Sequence, residues 1–468
     1  MSGIPLHFED ALTIGKKIAD GEISSVEITT EMLSRIETID PEFGAYVTVT
    51  GELALQQAQQ ADKEIQKKHI RSPLHGVPIA IKDLLDTKGI NTTYGMSIYT
   101  DNKPLANATV VNRLADAGTV LLGKSKLTEG AFSRHHPDVA PPINPWNADC
   151  WTGVSSSGSG VATAAGLCFA SIGSDTGGSI RFPCASNGIV GLKPTWGRVS
   201  RHGVFPLAYS LDHIGPMTRS VADAAVMLNI IAGIDKNDPT SSPRPVPDYL
   251  ENIDTGISNL IIGIDRAFVE TDTDPELVAA IDEVAACLES SGGKLIDINI
   301  SFEALCNGWP VTTAVEAAHA HRQTFPERKG EYGPLADLIE LGLSMSAASY
   351  MEIELERRSF QAQLEQLYLS VDVILCPSMP FYGLPKEGSA EMDQAEAELS
   401  KTLKFTAPFD YSGSPTLSLP WRPGSKQIPL GIQLVARHFD EEMLVRVGSF
   451  IEKHATQNMH PLLNGESD

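Results

Sequence analysis

Short apolar runs separated by helical segments constrain this chain more than any other feature. GVPIAIK (76–82), TVLLGK (119–124), GIVGLKP (188–194), LIIGID (260–265), KLIDINI (294–300), VDVILCP (371–377), TLSLPW (416–421) and LGIQLVA (430–436) are rich in Val, Ile and Leu. Their length and composition fit buried strands. Helical signals lie between them. Ser24-x-x-Glu27 reads as a capping box, with Val26, Thr29, Leu33 and Ile36 following at helical spacing. Further helices are expected over 51–68, about 108–117, 161–170 (VATAAGLCFA) and 274–291, with long helices in the C-terminal third. Ser220-x-x-Asp223 is expected to cap a helix through residue 233. The alternation predicts an α/β fold: a mixed sheet covered by helices.

A chain of 468 residues holds one large domain or two to three ordinary ones. The polar, proline-rich stretch 235–256 is the candidate linker. No internal repeat is visible. No apolar run is long enough to cross a bilayer. The start, MSGIPLHFEDALTI, lacks a basic region followed by an apolar stretch, so an intracellular, cytoplasmic protein is expected. A net charge of −23 disfavours nucleic-acid and anionic-membrane partners. The six cysteines are scattered without a C-x-x-C pair and read as buried, reduced thiols. No clustered His, Cys and carboxylate pattern suggests a metal, and no cofactor is called for. His135 and His136 are adjacent in a proline-containing loop and are expected to be solvated.

Residues 118–125, GTVLLGKS, match the nucleotide-binding pattern G-x-x-x-x-G-K-[ST]. The mechanism argues against it. That motif needs a loop whose N–H groups wrap phosphates, with a strand before and a helix after. Here the variable residues are Thr, Val, Leu and Leu, which favour a strand, and a helical segment precedes them. A nucleotide-binding protein is therefore the disfavoured alternative.

The chemistry concentrates in two tracts. GVSSSGSG at 153–160 is the most Gly/Ser-rich stretch, and GSDTGGSIRFP at 173–183 places Ser179 after two glycines. Serine needs a base to become a nucleophile. No histidine stands between residues 137 and 201, and G-x-S-x-G is absent around Ser179. A distant histidine remains open. A neutral, buried lysine is the other option, and Lys82 ends an apolar run where burial lowers an ammonium pKa. Consecutive N–H groups in Thr176-Gly177-Gly178-Ser179 are positioned in sequence to form an anion-binding nest; an ordinary tight turn is the alternative.

Together these residues resemble the amidase signature family of serine hydrolases. The family tract G-G-S-S-G-G-S is similar to Gly153–Ser159, and its G-[ST]-D-x-G-G-S-[IV]-R-x-P segment matches Gly173–Pro183 throughout. Its G-[VI]-P-x-x-[IV]-K-D context matches Gly76–Asp83. Similarity continues through 191–225 and the C-terminal pieces FDYSGSPTLSLP and LGIQLVARHFDEEML. The resemblance implies a single α/β/α domain over 1–468, with N-terminal helices to about 70 and the signature core over about 71–233. The proline-rich stretch is then an excursion within it.

The resemblance also implies a Ser–Ser–Lys triad. Ser179 would attack the amide carbonyl, Ser155 would relay the proton, and neutral Lys82 would receive it. Ser155 would follow a cis peptide bond. The N–H groups of Thr176, Gly177, Gly178 and Ser179 would form the oxyanion hole. Ser156 would hydrogen-bond within the lysine network, and Asp175 and Arg181 would brace the nucleophile turn as a pair. Two positions depart from the pattern: Val154 and Ser157 stand where glycine is usual. The implied reaction is hydrolysis of a small carboxamide, an aliphatic or aryl amide or an anilide, without metal or cofactor; homodimers occur in the family. One branch supplies a partner with ammonia from glutamine and carries Asn-Leu-x-Arg-[Phe/Tyr]-Asp-Gly. The nearest region here, NGWPVTTAVEAAHAHRQTF, lacks it, so a stand-alone amidase is expected. A non-catalytic scaffold is disfavoured because all three triad residues are present. Met96, Phe132, His135, His136, Trp309 and Phe381 are loop candidates for lining a pocket.

Overall fold

The structure, a computed structural model, describes residues 4–300, 303–390, 392, 401–456 and 459–461. Eleven strands form one mixed sheet: β1 (Tyr46–Val49), β2 (Pro78–Lys82), β3 (Val120–Ser125), β4 (Ala170–Asp175), β5 (Val190–Lys193), β6 (His213–Thr218), β7 (Ile261–Ile264), β8 (Lys294–Asp297), β9 (Val373–Pro377), β10 (Thr416–Pro423) and β11 (Pro429–Ala436). Their order is β1-β3-β2-β4-β6-β5-β10-β11-β9-β7-β8. Six strands from the first half of the chain therefore sit together, and five from the second half continue the sheet. The halves meet where β5 pairs antiparallel with β10, Leu192 opposite Leu417. Helices cover the sheet, as the alternating pattern predicts.

Every residue of β2, β3, β4 and β6 is buried. Their side chains have no solvent face, which is why these runs do not alternate; the polar side chains among them, such as Lys82, Lys124 and Asp175, find partners inside the protein. β2 runs parallel to β3 on one side and to β4 on the other. The carboxyl ends of β2 and β4 thus lie side by side, where open α/β sheets place their sites. Lys82 ends the first of these strands and Asp175 ends the second.

Several local readings hold. Ser24 Oγ accepts from Glu27 N at 3.1 Å and Glu27 Oε2 accepts from Ser24 N at 2.7 Å, closing the capping box of helix Ser25–Phe43. Others change. The Ala-rich helix runs only over Ser157–Ala164, because Gly166, at φ 63°, turns the chain into β4. Ser220 caps helix Val221–Ile231, but Asp223 does not reciprocate. Its carboxylate instead accepts from Ala11 N (2.8 Å) and Leu12 N (2.9 Å), starting helix Ala11–Ala19. Strands β1, β4 and β6 carry no strong apolar run and are additions to the sequence reading, β4 starting at Ala170, the last residue of the expected helix. The 235–256 stretch is fastened down: Asp235 Oδ2 accepts from Thr109 Oγ1 (2.5 Å) and Ser200 Oγ (2.6 Å), and Arg198 donates to the carbonyls of Arg244 and Pro245.

Residues 120–125 form the interior strand β3, so the nucleotide motif has no phosphate loop. Its Lys124 is buried, with Nζ 3.2 Å from Asp83 Oδ1 and donating to Leu85 O and Thr92 Oγ1. Cys150, Cys168, Cys184 and Cys376 are buried free thiols as expected, and Cys287 is half-buried. The Cys306 side chain lies outside the described residues. No described helix is long and apolar enough to cross a membrane. No metal-binding group of His, Cys and carboxylate side chains occurs among the described residues.

Candidate active site

The Lys82 side chain leaves the end of β2 and is fully buried. Its Nζ lies 2.6 Å from Ser155 Oγ, 2.9 Å from Ser156 Oγ and 2.8 Å from Ser174 Oγ. Three hydroxyls around one buried nitrogen satisfy its polarity without a counter-ion. Burial brings its pKa from the lysine value down to about 7, with Asp175 and Asp212 pulling the other way. Sequence reasoning missed Ser174. The signal was present: it fills the [ST] position directly before Asp175.

Ser155 follows a cis bond from Val154, as the resemblance implied. Glycines hold the tract close to its surroundings. A Cβ at Gly153 would lie 2.4 Å from Pro183 N, and one at Gly158 would lie 2.3 Å from Ala45 O. Ser156 is fixed on both sides. Its hydroxyl donates to Ser174 O (3.1 Å) and accepts from Ser174 N (3.2 Å). Ser156 N donates to Ser179 O at 3.3 Å, which seats the nucleophile turn against the tract.

The turn after β4 is pinned from outside. Trp309 Nε1 donates to Thr176 O (2.8 Å) and Thr406 Oγ1 donates to Gly177 O (2.6 Å). In a trans peptide the next N–H points away from the carbonyl. Gly177 N–H therefore points away from Trp309. Gly178 N–H points away from Thr406 and is taken by Asp175 Oδ1 at 2.6 Å. This corrects one expectation: Gly178 is not a free donor. The N–H groups of Thr176, Gly177 and Ser179 donate to no partner among the described residues. Both glycines are needed sterically, since a Cβ at Gly177 would meet the Trp309 ring at 2.5 Å and one at Gly178 the Phe182 ring at 2.5 Å.

Asp175 and Arg181 do form the expected pair, and it is fully buried rather than on the surface. Arg181 donates through Nε (3.0 Å) and Nη2 (2.9 Å) to the two Asp175 oxygens, a bidentate fork. Asp175 also accepts from Ile180 N at 3.0 Å. Burial alone would raise its pKa. The adjacent guanidinium overrides that and holds the carboxyl well below the usual carboxylate range. Arg181 reaches on to Asp410 Oδ2 (2.5 Å), Thr406 O (3.0 Å) and Gln433 Oε1 (3.1 Å). Behind them, Lys193 Nζ donates to Ser414 O (2.6 Å) and lies 3.3 Å from His213 Nε2. Burial lowers Lys193 to about 8 and His213 well below the imidazole value, so that histidine is neutral. Its Nδ1 lies 3.3 Å from Asp175 O. His202 is exposed.

The loop candidates separate. Trp309 touches the nucleophile turn. Met96 is buried in the main core and Phe132 packs against it; Phe381 is half-buried. His135 and His136 are buried rather than solvated. His136 Nε2 lies 3.2 Å from Glu331 O. His135 joins Glu387 and Ser157, as described below.

The amidase family model matches residues 27–445. The chain is 43% identical over 450 residues to a Mycobacterium tuberculosis protein named "Putative amidase AmiD", covering 94% of each. It is 35% identical to a glutamyl-tRNA(Gln) amidotransferase subunit from Geobacter sp. strain M21, covering 94% of this chain and 95% of that one. Among solved structures, it superposes with a TM-score of 0.89 on a chain from an "unexpected vestigial protein complex" that "reveals the evolutionary origins of an s-triazine catabolic enzyme". That pair is 30% identical and covers 95% of this chain and 98% of the other. The chain belongs to the amidase signature family and is an amidohydrolase.

Proposed function

We propose that the protein hydrolyses the C–N bond of a small aliphatic or aryl carboxamide through Ser179, Ser155 and Lys82. The observation that carries this reading is a fully buried lysine whose nitrogen meets three serine hydroxyls. A neutral amine offers two N–H groups and one lone pair. Ser156 already donates its hydroxyl proton to Ser174 O, so toward Lys82 it accepts. The lone pair is then left for Ser155, at 2.6 Å, or Ser174, at 2.8 Å. Ser155 is the shorter and belongs to the tract held against Ser179.

In the forward step Ser179 Oγ attacks the carbonyl carbon and its proton passes to Ser155, whose own proton passes to Lys82. The N–H groups of Thr176, Gly177 and Ser179 stabilise the oxyanion. Lys82 returns the proton through Ser155 to the departing nitrogen, the C–N bond breaks, and an acyl-Ser179 ester remains. Water then attacks that ester by the same proton route, releasing the acid. Asp175 and Arg181 position the turn without touching the reacting atoms. Residues 1–468 are read as one amidase domain, supported by the sheet that both halves of the chain build.

A second reading has support from the amidotransferase relatives: hydrolysis of glutamine with ammonia passed to a partner. Ammonia release by the purified chain separates the two. Turnover of aliphatic or aryl amides that disappears in Ser179→Ala supports the stand-alone amidase. Turnover of glutamine alone supports the amidotransferase reading.

A further inference from the structure

Ser157, one of the two departures from the family's glycine pattern, is fully buried and is not idle. Its Oγ lies 3.0 Å from His135 Nε2. His135 Nδ1 lies 2.7 Å from Glu387 Oε2, and His135 N donates to Glu387 Oε1 at 2.8 Å. A carboxylate only accepts, so Nδ1 carries the proton toward Glu387. In the neutral imidazole Nε2 then accepts from the Ser157 hydroxyl. Residues up to 252 positions apart thus form one directed hydrogen-bonded line. It has the order of a Ser–His–acid triad, but Ser157 is fully enclosed, so no substrate reaches its oxygen.

The line also joins two segments. Residues 384–387 run beside 149–151: Trp151 N donates to Leu384 O (2.7 Å), Lys386 N donates to Asp149 O (2.9 Å), and Cys150 bridges Pro385. Val154, the other departure, packs in an apolar cluster with Trp151, Met379 and Leu384. The 384–387 strap therefore grips the chain just before the cis Val154–Ser155 bond. Through Glu387 and His135 it grips again just after Ser156.

We propose that Glu387, His135 and Ser157 are positioning residues that clamp the tract carrying Ser155 and Ser156 against Lys82. The proposal rests on Ser155 relaying the proton to Lys82, as above. Ser157 is also the first residue of helix Ser157–Ala164, so its hydroxyl fixes where that helix begins relative to Ser155. Releasing it leaves the nucleophile and base in place but loosens the relay between them.

The test is the rate at which an alkyl fluorophosphonate captures Ser179, its Oγ displacing fluoride from phosphorus, which needs no knowledge of the natural amide. Ser157→Gly restores the residue usual in the family and so keeps the fold. It is expected to lower the maximal capture rate about tenfold or more, because misplacing a catalytic group by a fraction of an ångström is costly. The half-saturating probe concentration and the final labelled fraction should stay as in the parent. His135→Leu should behave alike, the double variant should be no slower than the worse single, and His135→Gln should recover part of the rate. Capture by Ser157→Gly and His135→Leu at the parent rate would overturn the clamp while leaving the Ser179 reading intact. So would losses that multiply in the double variant, or a labelled fraction that falls with the rate. A parent that is not captured at Ser179 at all would overturn both.

Discussion

Lys82 must be neutral to receive a proton, so the pH dependence of turnover follows from its burial. Its folded pKa is held to about 7, chiefly by desolvation. For a neutral amide, kcat/KM should rise through that pH and level above it, since this ratio reports the free enzyme. One pH unit below the midpoint about a tenth of the lysine is neutral, and two units below about a hundredth, so pH 5 activity should be about a hundredfold under the plateau. The neighbours give a second, independent handle. Asp212, itself pushed up to about 6 by burial, raises the Lys82 pKa, and it accepts from Thr176 Oγ1 at 2.7 Å. Asp212→Asn keeps an acceptor for that hydroxyl and removes the charge, so the limb should move to lower pH. The assay is initial-rate ammonia release from pH 5 to 9. A profile flat across this range, or an Asp212→Asn limb that moves to higher pH, would refute the reasoning.

Three further outcomes are expected. Ser155→Ala should remove turnover almost entirely, whereas Ser174→Ala, which leaves the Ser155 contact in place, should cost only about tenfold in kcat. Lys82→Met should be inactive yet more stable. The unfolded lysine holds its proton up to 10.5 while the folded one releases it at about 7, so between these the unfolded state binds more protons and stability rises with pH. Below that window the full penalty persists, and removing it should add about 1–4 kcal/mol at pH 7, read by urea unfolding. Arg181→Met strands the buried Asp175 and should destabilise by about 3–5 kcal/mol in the same assay.

Much of the fold was legible because its central strands are buried on both faces and therefore read as plain apolar runs. β4 and β6 were not, since ASIGSD and HIGPMT mix small and polar residues with few large apolar ones, and their strand form depends on pairing with each other and with β2 and β5. Ser155 and Ser179 stand in tracts of unusual Gly/Ser content, whereas Lys82 ends an ordinary apolar run and only the family resemblance singles it out as the base. Ser174 stood beside Asp175 in plain view, but its hydroxyl matters only once β4 lies beside β2. The network behind the nucleophile was out of reach. Lys193, His213 and Asp410 sit in ordinary local sequence, and only the β5–β10 junction brings Asp410 to Arg181, 229 residues away. The burial of His135 is of the same kind, because its partner Glu387 comes from 252 residues on. The nucleotide motif is the reverse case: the pattern was present, and the strand-forming residues within it already told against a phosphate loop.

The central claim is that Ser179 becomes acylated with Lys82, through Ser155, as the base. Its most direct test is acid-quench mass spectrometry of the chain mixed with an aryl ester, whose good leaving group lets the acyl-enzyme accumulate. The account predicts an added acyl mass on the peptide containing Ser179, at full occupancy in the parent and absent in Ser179→Ala and Lys82→Met at neutral pH. An adduct on any other residue, or Lys82→Met acylating at the parent rate, would contradict it.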